Sequence, residues 1–328
     1  MYKIYSIDTN NLSSQEANLL FQTNKLITNK YNFLNRFTTL QSFCEDFLTK
    51  FTSETSDLYY IKKEDLYCGI ITIKKGAAWD GSEQYEMNIT FSNVTADNSL
   101  INTIDLFLED KLLEYKHIEI TVYNKELESS VEKYNGKTKF LSDHFGLTKD
   151  NINIDQLNET ITTIENRNRK LNLRFFNSVP DEYIKDWCDI FNETSRDMPD
   201  EKEEAFIPYH ATVEVQLKSK ERMKSNNIHH YCYMIFNDKN EAIAESNVRV
   251  DNNNPRFPYQ FMIGVKKEYR GLNLGKWMYA SMYKKLYETI DFEKVEVVHH
   301  IDNKYAIAIS KFVGYEYLYS VRSSCISL

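Results

Sequence analysis

Two consecutive α/β (α+β) domains, each a mixed sheet covered by helices, are predicted by three features of this sequence. The first is length: 328 residues exceed what one hydrophobic core usually organises, so two domains of about 150 residues are expected. The second is a shift in composition. All five prolines lie between Pro180 and Pro258, none precedes them, and the polar stretch "NETITTIENRNRK" marks a boundary near residue 165. Domains 1-165 and 166-328 are therefore expected. The third is a repeated order of periodic segments.

In the first half, "SSQEANLLFQTNKLITNKY" and "FLNRFTTLQSFCEDFLTKF" carry apolar residues at helical spacing. The alternating runs "DLYYI", "YCGIITIK" and "YEMNITF" read as strands, "NSLINTIDLFLEDKLLEY" as an amphipathic helix and "HIEITVY" as a strand. A short helix over "SVEKYNGKTKFLSDHFGL" is expected to end near Gly146. The second half repeats the order. It runs from the strand "LNLRFFN" through the helices "DEYIKDWCDIFNET" and "HATVEVQLKSKERMKSN" to the strands "HHYCYMIF", "EAIAESNVRV" and "PYQFMIGV". The helix "GKWMYASMYKKLYETI", strand "KVEVVHH", helix "NKYAIAISKFVG" and strand "YEYLYSV" close it, so the chain reads as a duplicated unit.

Charge and cysteine content exclude several classes. Forty basic against 48 acidic residues, a net charge of -8, argue against a nucleic-acid binder, which needs clustered Lys and Arg. The cysteines, Cys44, Cys68, Cys188, Cys232 and Cys325, form no CxxC pair, so no metal site is expected and reduced thiols in a cytoplasmic protein fit. The N-terminal "MYKIYSIDTNNLSSQ" has no export pattern, and no apolar run is long enough for a membrane.

Chemistry is expected where the late glycines cluster. After residue 147 only Gly264, Gly271, Gly275 and Gly314 remain. Gly264 ends an alternating strand, where glycine often marks a bulge or a close approach. Gly271 and Gly275 bracket the loop "YRGLNLGK", and both can take positive φ. The helix that follows has its core stripe at Leu274, Met278, Met282, Leu286 and Ile290. Its N-terminus offers free N–H groups to an anion, with Arg270 and Lys276 adding positive charge. A P-loop "GKS" or "GKT" is absent, which disfavours a generic nucleotide binder.

These residues resemble the GNAT acetyltransferase superfamily, whose acetyl-CoA loop reads Arg/Gln-x-x-Gly-x-Gly/Ala after a bulged fourth strand. Arg270 and Gly275 match, and Asn273 stands where the pattern has glycine. Asn tolerates the left-handed region, so the loop is expected to keep its path. The segment "DNKYAIAISKFVGY" is similar to the later GNAT motif through Asn303, Ala306, Gly314 and Tyr315. The duplication and "SRDMP" look most like tandem-GNAT proteins of the mycothiol-synthase-like kind, with mostly antiparallel sheets.

The resemblance implies that main-chain groups of Met262, Ile263, Gly264 and Val265 pair with acetyl-CoA. Arg270, Gly271, Leu272, Asn273, Leu274, Gly275 and Lys276 would hold its pyrophosphate, and Asn303 belongs to the same site. Acetyl transfer to an amine needs a base, a donor near the thioester oxygen and an acid. Base candidates are Glu245, in a polar stripe with Asn247 and Arg249, and His299 at the end of its strand. Adjacent residues of a strand face opposite ways, so at most one of His299 and His300 lines a cleft; His229 and His230 are subject to the same limit. Many GNAT enzymes place an acidic tyrosine seven residues after the motif asparagine. That position is Ser310, leaving Tyr305 or Tyr315 as substitutes.

The first-half junction "ITFSNVTADNSLINTI" has no glycine or nearby basic residue, so a degenerate domain without a CoA loop is expected there. The reading is an acetyl-CoA-dependent N-acetyltransferase, acting by direct attack on a small-molecule or peptide amine, as a monomer or homodimer without nucleic-acid or membrane partners. The acidic "DMPDEKEEAF" could attract a cationic amine. A non-catalytic acyl-CoA-binding GNAT-fold protein is the alternative.

Overall fold

The computed structural model describes residues 1–31, 39–51, 56–77, 83–92, 97–115, 117–123, 125–199, 203 and 210–327. The chain divides into two compact units, Met1–Ser142 with Leu318–Leu328, and Asp143–Glu201 with Pro208–Tyr317. The division differs from the expected boundary at residue 165, which falls inside a helix. That helix belongs wholly to the second unit.

In the first unit β1 (Tyr2–Ser6) leads into α1 (Ser14–Lys30) and α2 (Leu40–Asp46). Strands β2 (Ser56–Lys63), β3 (Leu66–Ala77) and β4 (Glu83–Phe91) follow, then α3 (Asn98–Glu114), β5 (His117–Val122) and α4 (Glu128–Lys133). The strands pair antiparallel from β1 to β4, and β4 and β5 run parallel. The C-terminal strand β12 (Glu316–Ser327) adds its later half antiparallel to β5, Arg322 opposite Val122. Leu100, Ile104, Leu108 and Leu112 of α3 pack on one sheet face, with Ile61, Ile71, Met87 and Ile89. The other face buries Leu58 and Ile70 beneath Leu20 and Phe21 of α1 and Phe43 of α2. Helix α1 starts on a capping box in which Ser13 and Glu16 satisfy each other's main-chain N–H.

The second unit repeats the order with β7 (Asn172–Phe176), α6 (Ile184–Ser195), α7 (Val213–Ser225), β8 (Ile228–Phe236), β9 (Ala242–Asp251) and β10 (Tyr259–Val265). Helix α8 (Leu274–Thr289), β11 (Val295–His300) and α9 (Lys304–Val313) complete it. Strands β7 with β8, β8 with β9 and β9 with β10 pair antiparallel, and β10 with β11 parallel. Side chains alternate across the sheet. Cys232, Met234 and Met262 thus meet Trp187 and Phe191 of α6, while Val248, Val297 and Ile263 meet Tyr279 and Tyr283 of α8.

Two expectations are corrected. The helix expected to end near Gly146 stops at Lys133, and β6 runs from Lys137 to Leu147. Asn135 with φ 55° turns the chain, and a side chain at Gly136 would lie 2.4 Å from Val131 Cγ1, so Asn-Gly ends the helix. The polar stretch expected to mark the domain boundary lies in α5 (Ile154–Arg167), whose Leu157, Ile161 and Ile164 join the core beneath α8. The start of the second first-half helix, at 32–38, and most of "DMPDEKEEAF" lie outside the described residues.

Candidate functional site

Strand β10 holds its antiparallel ladder with β9 from Tyr259 to Val265, but its parallel ladder with β11 consists only of Tyr259 opposite Glu296 and Gln260 opposite Val297. Beyond Gln260 the two parallel strands part. The register to β9 shifts between Gln260 and Met262, which makes Phe261 the extra residue of a bulge. The N–H of Lys266 donates back to Ile243 O on β9. Because alternate residues of a strand direct their main-chain groups to opposite edges, Ile263 and Val265 direct theirs into the gap left by β11.

Gly264, expected to mark a bulge or a close approach, lies beyond the bulge and at a close approach. A Cβ there would meet Thr194 Oγ1 at 2.8 Å and Ile190 Cγ2 at 3.1 Å, so this glycine lets α6 lie against the strand.

After β10 a single 3-10 turn, Lys267–Tyr269, leads into the loop. Gly271 has φ 85°, and Asn273 is left-handed at φ 60°, ψ 23°, as the N-terminal flank of α8. Asn273 thus takes the conformation expected of it. Among the described residues, the N–H groups from Gly271 through Lys276 have no acceptor; Trp277 N–H, bonded to Asn273 O at 3.1 Å, opens the helical ladder. A Cβ on Gly271 would meet nothing within 4 Å, and Leu272 is exposed, so this run of donors opens to solvent.

Gly275 is not left-handed, contrary to expectation. It sits in the first turn of α8, where a Cβ would come within 3.0 Å of Ile309 Cδ1, and its smallness lets α9 close on α8. Arg270 also plays a different part from the expected free cation. Its Nε donates to Val265 O at 3.0 Å and its Nη1 to Asp197 Oδ2 at 2.5 Å, while Glu193 Oε1 accepts the Lys267 N–H at 2.6 Å. Two carboxylates from the end of α6 therefore brace the loop. Lys276 lies with its Nζ 4.9 Å from the centre of the Phe312 ring.

The stripe of Glu245, Asn247 and Arg249 faces α6. Glu245, across the ladder from Gly264, is 0% exposed, and its Oε2 accepts from Asn247 Nδ2 at 2.6 Å. Burial pushes its carboxyl up to about 7, against the lowering effect of the Asn247 amide and the Trp187 indole. On the same face burial pulls His230 down to about 4, with the Trp187 ring edge-on at 6.3 Å.

His299 and His300 are both buried. His299 Nε2 lies 2.7 Å from Ser310 Oγ, and burial lowers its imidazole to about 4. His300 Nδ1 accepts the Asp302 N–H at 3.1 Å and so shapes the turn into α9. Tyr305 stands 88% exposed in the first turn of α9, whereas Tyr315 is buried with its hydroxyl 2.7 Å from that of Tyr283. No hydrogen bond or ion pair among the described residues joins Glu245, His299 and Tyr305.

Asn303 caps α9 by accepting the Ala306 N–H at 3.2 Å. Loss of such a cap costs about 1 kcal/mol, so Asn303→Ala is expected to lower the unfolding free energy by that amount, read as a lower urea midpoint at an unchanged slope.

Sequence reasoning missed Gln260 and Tyr283, which meet across the bulge with Tyr283 Oη 2.7 Å from Gln260 Oε1. It also missed Glu193 and Asp197. Gln260 did carry a signal: it is the lone polar residue in "FPYQFMIGV".

No group of side chains suited to a metal ion occurs among the described residues, and no helix among them is long and apolar enough to cross a membrane. No protein-family model matches the chain, and no curated protein matches it. Solved structures do. A tandem GNAT protein from the clavulanic acid biosynthesis pathway superposes with a TM-score of 0.61 at 12% identity, over 100% of this chain and 98% of that one. A GCN5-related N-acetyltransferase from Sphaerobacter thermophilus gives 0.63 at 7% identity, over 99% and 95%. A glucosamine N-acetyltransferase region in a fungal multi-domain GH3 β-N-acetylglucosaminidase gives 0.59 at 10% identity, over 99% of this chain and 38% of that one.

Proposed function

We propose, from the tandem GNAT fold as premise, that this chain is an N-acetyltransferase in which acetyl-CoA binds the second unit and a primary amine attacks its thioester directly. The observation that carries the reading is the run of unbonded N–H groups from Gly271 through Lys276, directly after a strand that has parted from its neighbour. Such a run at a helix start suits a pyrophosphate, because each donor is already desolvated on one side and the helix dipole adds to it. The freed main-chain groups of Ile263 and the N–H of Val265, whose carbonyl is taken by Arg270, suit the amides of a pantetheine arm, which would complete the ladder that β11 leaves open.

Attack requires a neutral amine. By basicity Glu245, with a carboxyl poised near 7, suits the ammonium proton better than His299, lowered to about 4 and engaged with Ser310. Glu245 is 0% exposed, however, and reaches an amine only if the face under α6 opens. The amine nitrogen then forms the C–N bond, the C–S bond breaks, and the leaving thiolate takes a proton. Tyr305, open to solvent, is proposed as that acid.

The first unit is proposed to bind no CoA. Its β4 and β5 stay zipped from Tyr85 opposite Ile118 to Ile89 opposite Val122, so they leave no gap for a pantetheine arm. The junction at 93–96 lies outside the described residues. Calorimetry with CoA is the first test. Binding tighter than about 1 mM, worth about 4 kcal/mol, supports the reading, and its absence overturns it. Thiol release from acetyl-CoA with a panel of amines then tests the transfer itself.

A further inference from the structure

We propose that a buried chain of side chains, Tyr315–Tyr283–Gln260, holds the gap between β10 and β11 open, and that Gln260 and Tyr283 are therefore positioning residues for the pantetheine arm. The inference rests on the acetyl-CoA reading for its ligand but not for its geometry.

A bulge leaves main-chain groups without ladder partners, and in a buried place each such group is destabilising unless a side chain satisfies it. Here Gln260 supplies the missing partners. Its Nε2 donates to Met262 O at 2.7 Å and to Asn247 O at 3.0 Å, on the two strands that flank the irregular register. Gln260 is 1% exposed and Tyr283 0%. With both amide hydrogens used, Gln260 Oε1 accepts from Tyr283 Oη at 2.7 Å; Tyr283 in turn accepts from Tyr315 Oη, also at 2.7 Å. Only this order of donors satisfies every member. The chain thus ties the bulge to α8 and to the start of β12, and β10 keeps an extra residue at the place where it leaves β11.

The first unit serves as an internal comparison. Its β4 pairs with β3 in unbroken register from Glu83 to Phe91, and the buried face of α3 is aliphatic, with Leu100, Ile104, Leu108 and Leu112. Among the described residues no bulge interrupts β4 against β3, no tyrosine hydroxyl of α3 reaches β4, and β4 stays paired with β5 from Tyr85 to Ile89. The equivalent sheet without the polar chain remains closed. A merely packing role for Tyr283 would not require its hydroxyl, whereas this role does.

Tyr283→Phe removes the central hydroxyl and keeps the ring; Gln260→Leu removes the amide. Each is measured with CoA and with adenosine 3′-phosphate 5′-diphosphate, which carries both phosphates of the pyrophosphate but no pantetheine arm. Both variants are expected to weaken CoA at least about tenfold while the nucleotide fragment stays within about twofold. Equal loss of both ligands, or loss of neither, overturns the proposal.

Amide hydrogen exchange of the ligand-free protein reads the gap independently. In the wild type, Ile263 and Val265 are expected to exchange at least about 100-fold faster than Gly264, whose N–H faces β9. In Tyr283→Phe that difference shrinks at least about tenfold as β10 loses its fixed register. An unchanged exchange pattern overturns the proposal even if the wild type fails to bind CoA, an outcome that would by itself remove only the acetyl-CoA reading.

Discussion

Gly271→Asp is expected to weaken CoA binding about 100-fold relative to Gly271→Asn, with both variants folded. The two replacements have the same shape, and each side chain would enter open space, since nothing lies within 4 Å of the Cβ position. Both carry the same backbone cost at φ 85°, about 1 kcal/mol, which Asn and Asp tolerate better than other side chains. What differs is charge alone. A carboxylate about 5 Å from a bound phosphate at an effective dielectric near 20 repels it by about 3 kcal/mol, which is the 100-fold expected. The repulsion is little relieved by the protein, because Arg270, the nearest loop cation, is engaged by Asp197. Calorimetry of the two variants at one ionic strength reads the ratio. Equal affinities for CoA would show that the N–H groups beside Gly271 do not face its phosphates.

Local chemistry was legible in this sequence, and distant partners were not. The path of "YRGLNLGK" followed from Gly271 and from the tolerance of Asn273 for the left-handed region, because φ preferences act within one residue. The roles of Gly264 and Gly275 did not follow. Each makes room for another helix, through Thr194 in one case and Ile309 in the other, far away in the chain. Arg270 read as a phosphate cation since nothing local announces Asp197. Helix α5 read as a polar boundary stretch because its buried residues, Leu157 and Ile164, are separated by polar ones and make sense only once α8 covers them. Strand β6 passed for a helix because "EKYNGKTKF" was read as one periodic segment, although Asn-Gly splits it. The polar stripe of β9 was visible by alternation, but its burial depends on α6.

That burial makes the second large effect a matter of pH. Glu245 titrates at about 7 in the folded protein and near 4.5 when unfolded, so between these values the unfolded chain releases the proton first. Its contribution to stability is fully present below pH 4.5, and it is lost as pH rises through 7. The shift corresponds to about 3 kcal/mol. Glu245→Gln keeps the size and an oxygen for the Asn247 amide but cannot ionise. The unfolding free energy of Glu245→Gln minus that of the wild type is therefore expected to grow by about 3 kcal/mol between pH 4 and pH 8.

His230, depressed to about 4 on the same face, destabilises the fold as pH falls below 6.5. It does so in both proteins and cancels from the difference. Urea unfolding followed by the fluorescence of Trp187 and Trp277, both in the second unit, supplies the measurement at each pH, with Trp79 of the first part of the chain replaced by Phe in both proteins. A difference flat to about 0.5 kcal/mol would mean that the buried carboxyl is charged throughout, with a partner that stabilises it. The same variant separates structure from chemistry. A base lost at this position costs about 100-fold or more in thiol release at pH 8, where Glu245→Gln is the more stable protein, and a purely structural carboxyl would leave that rate intact.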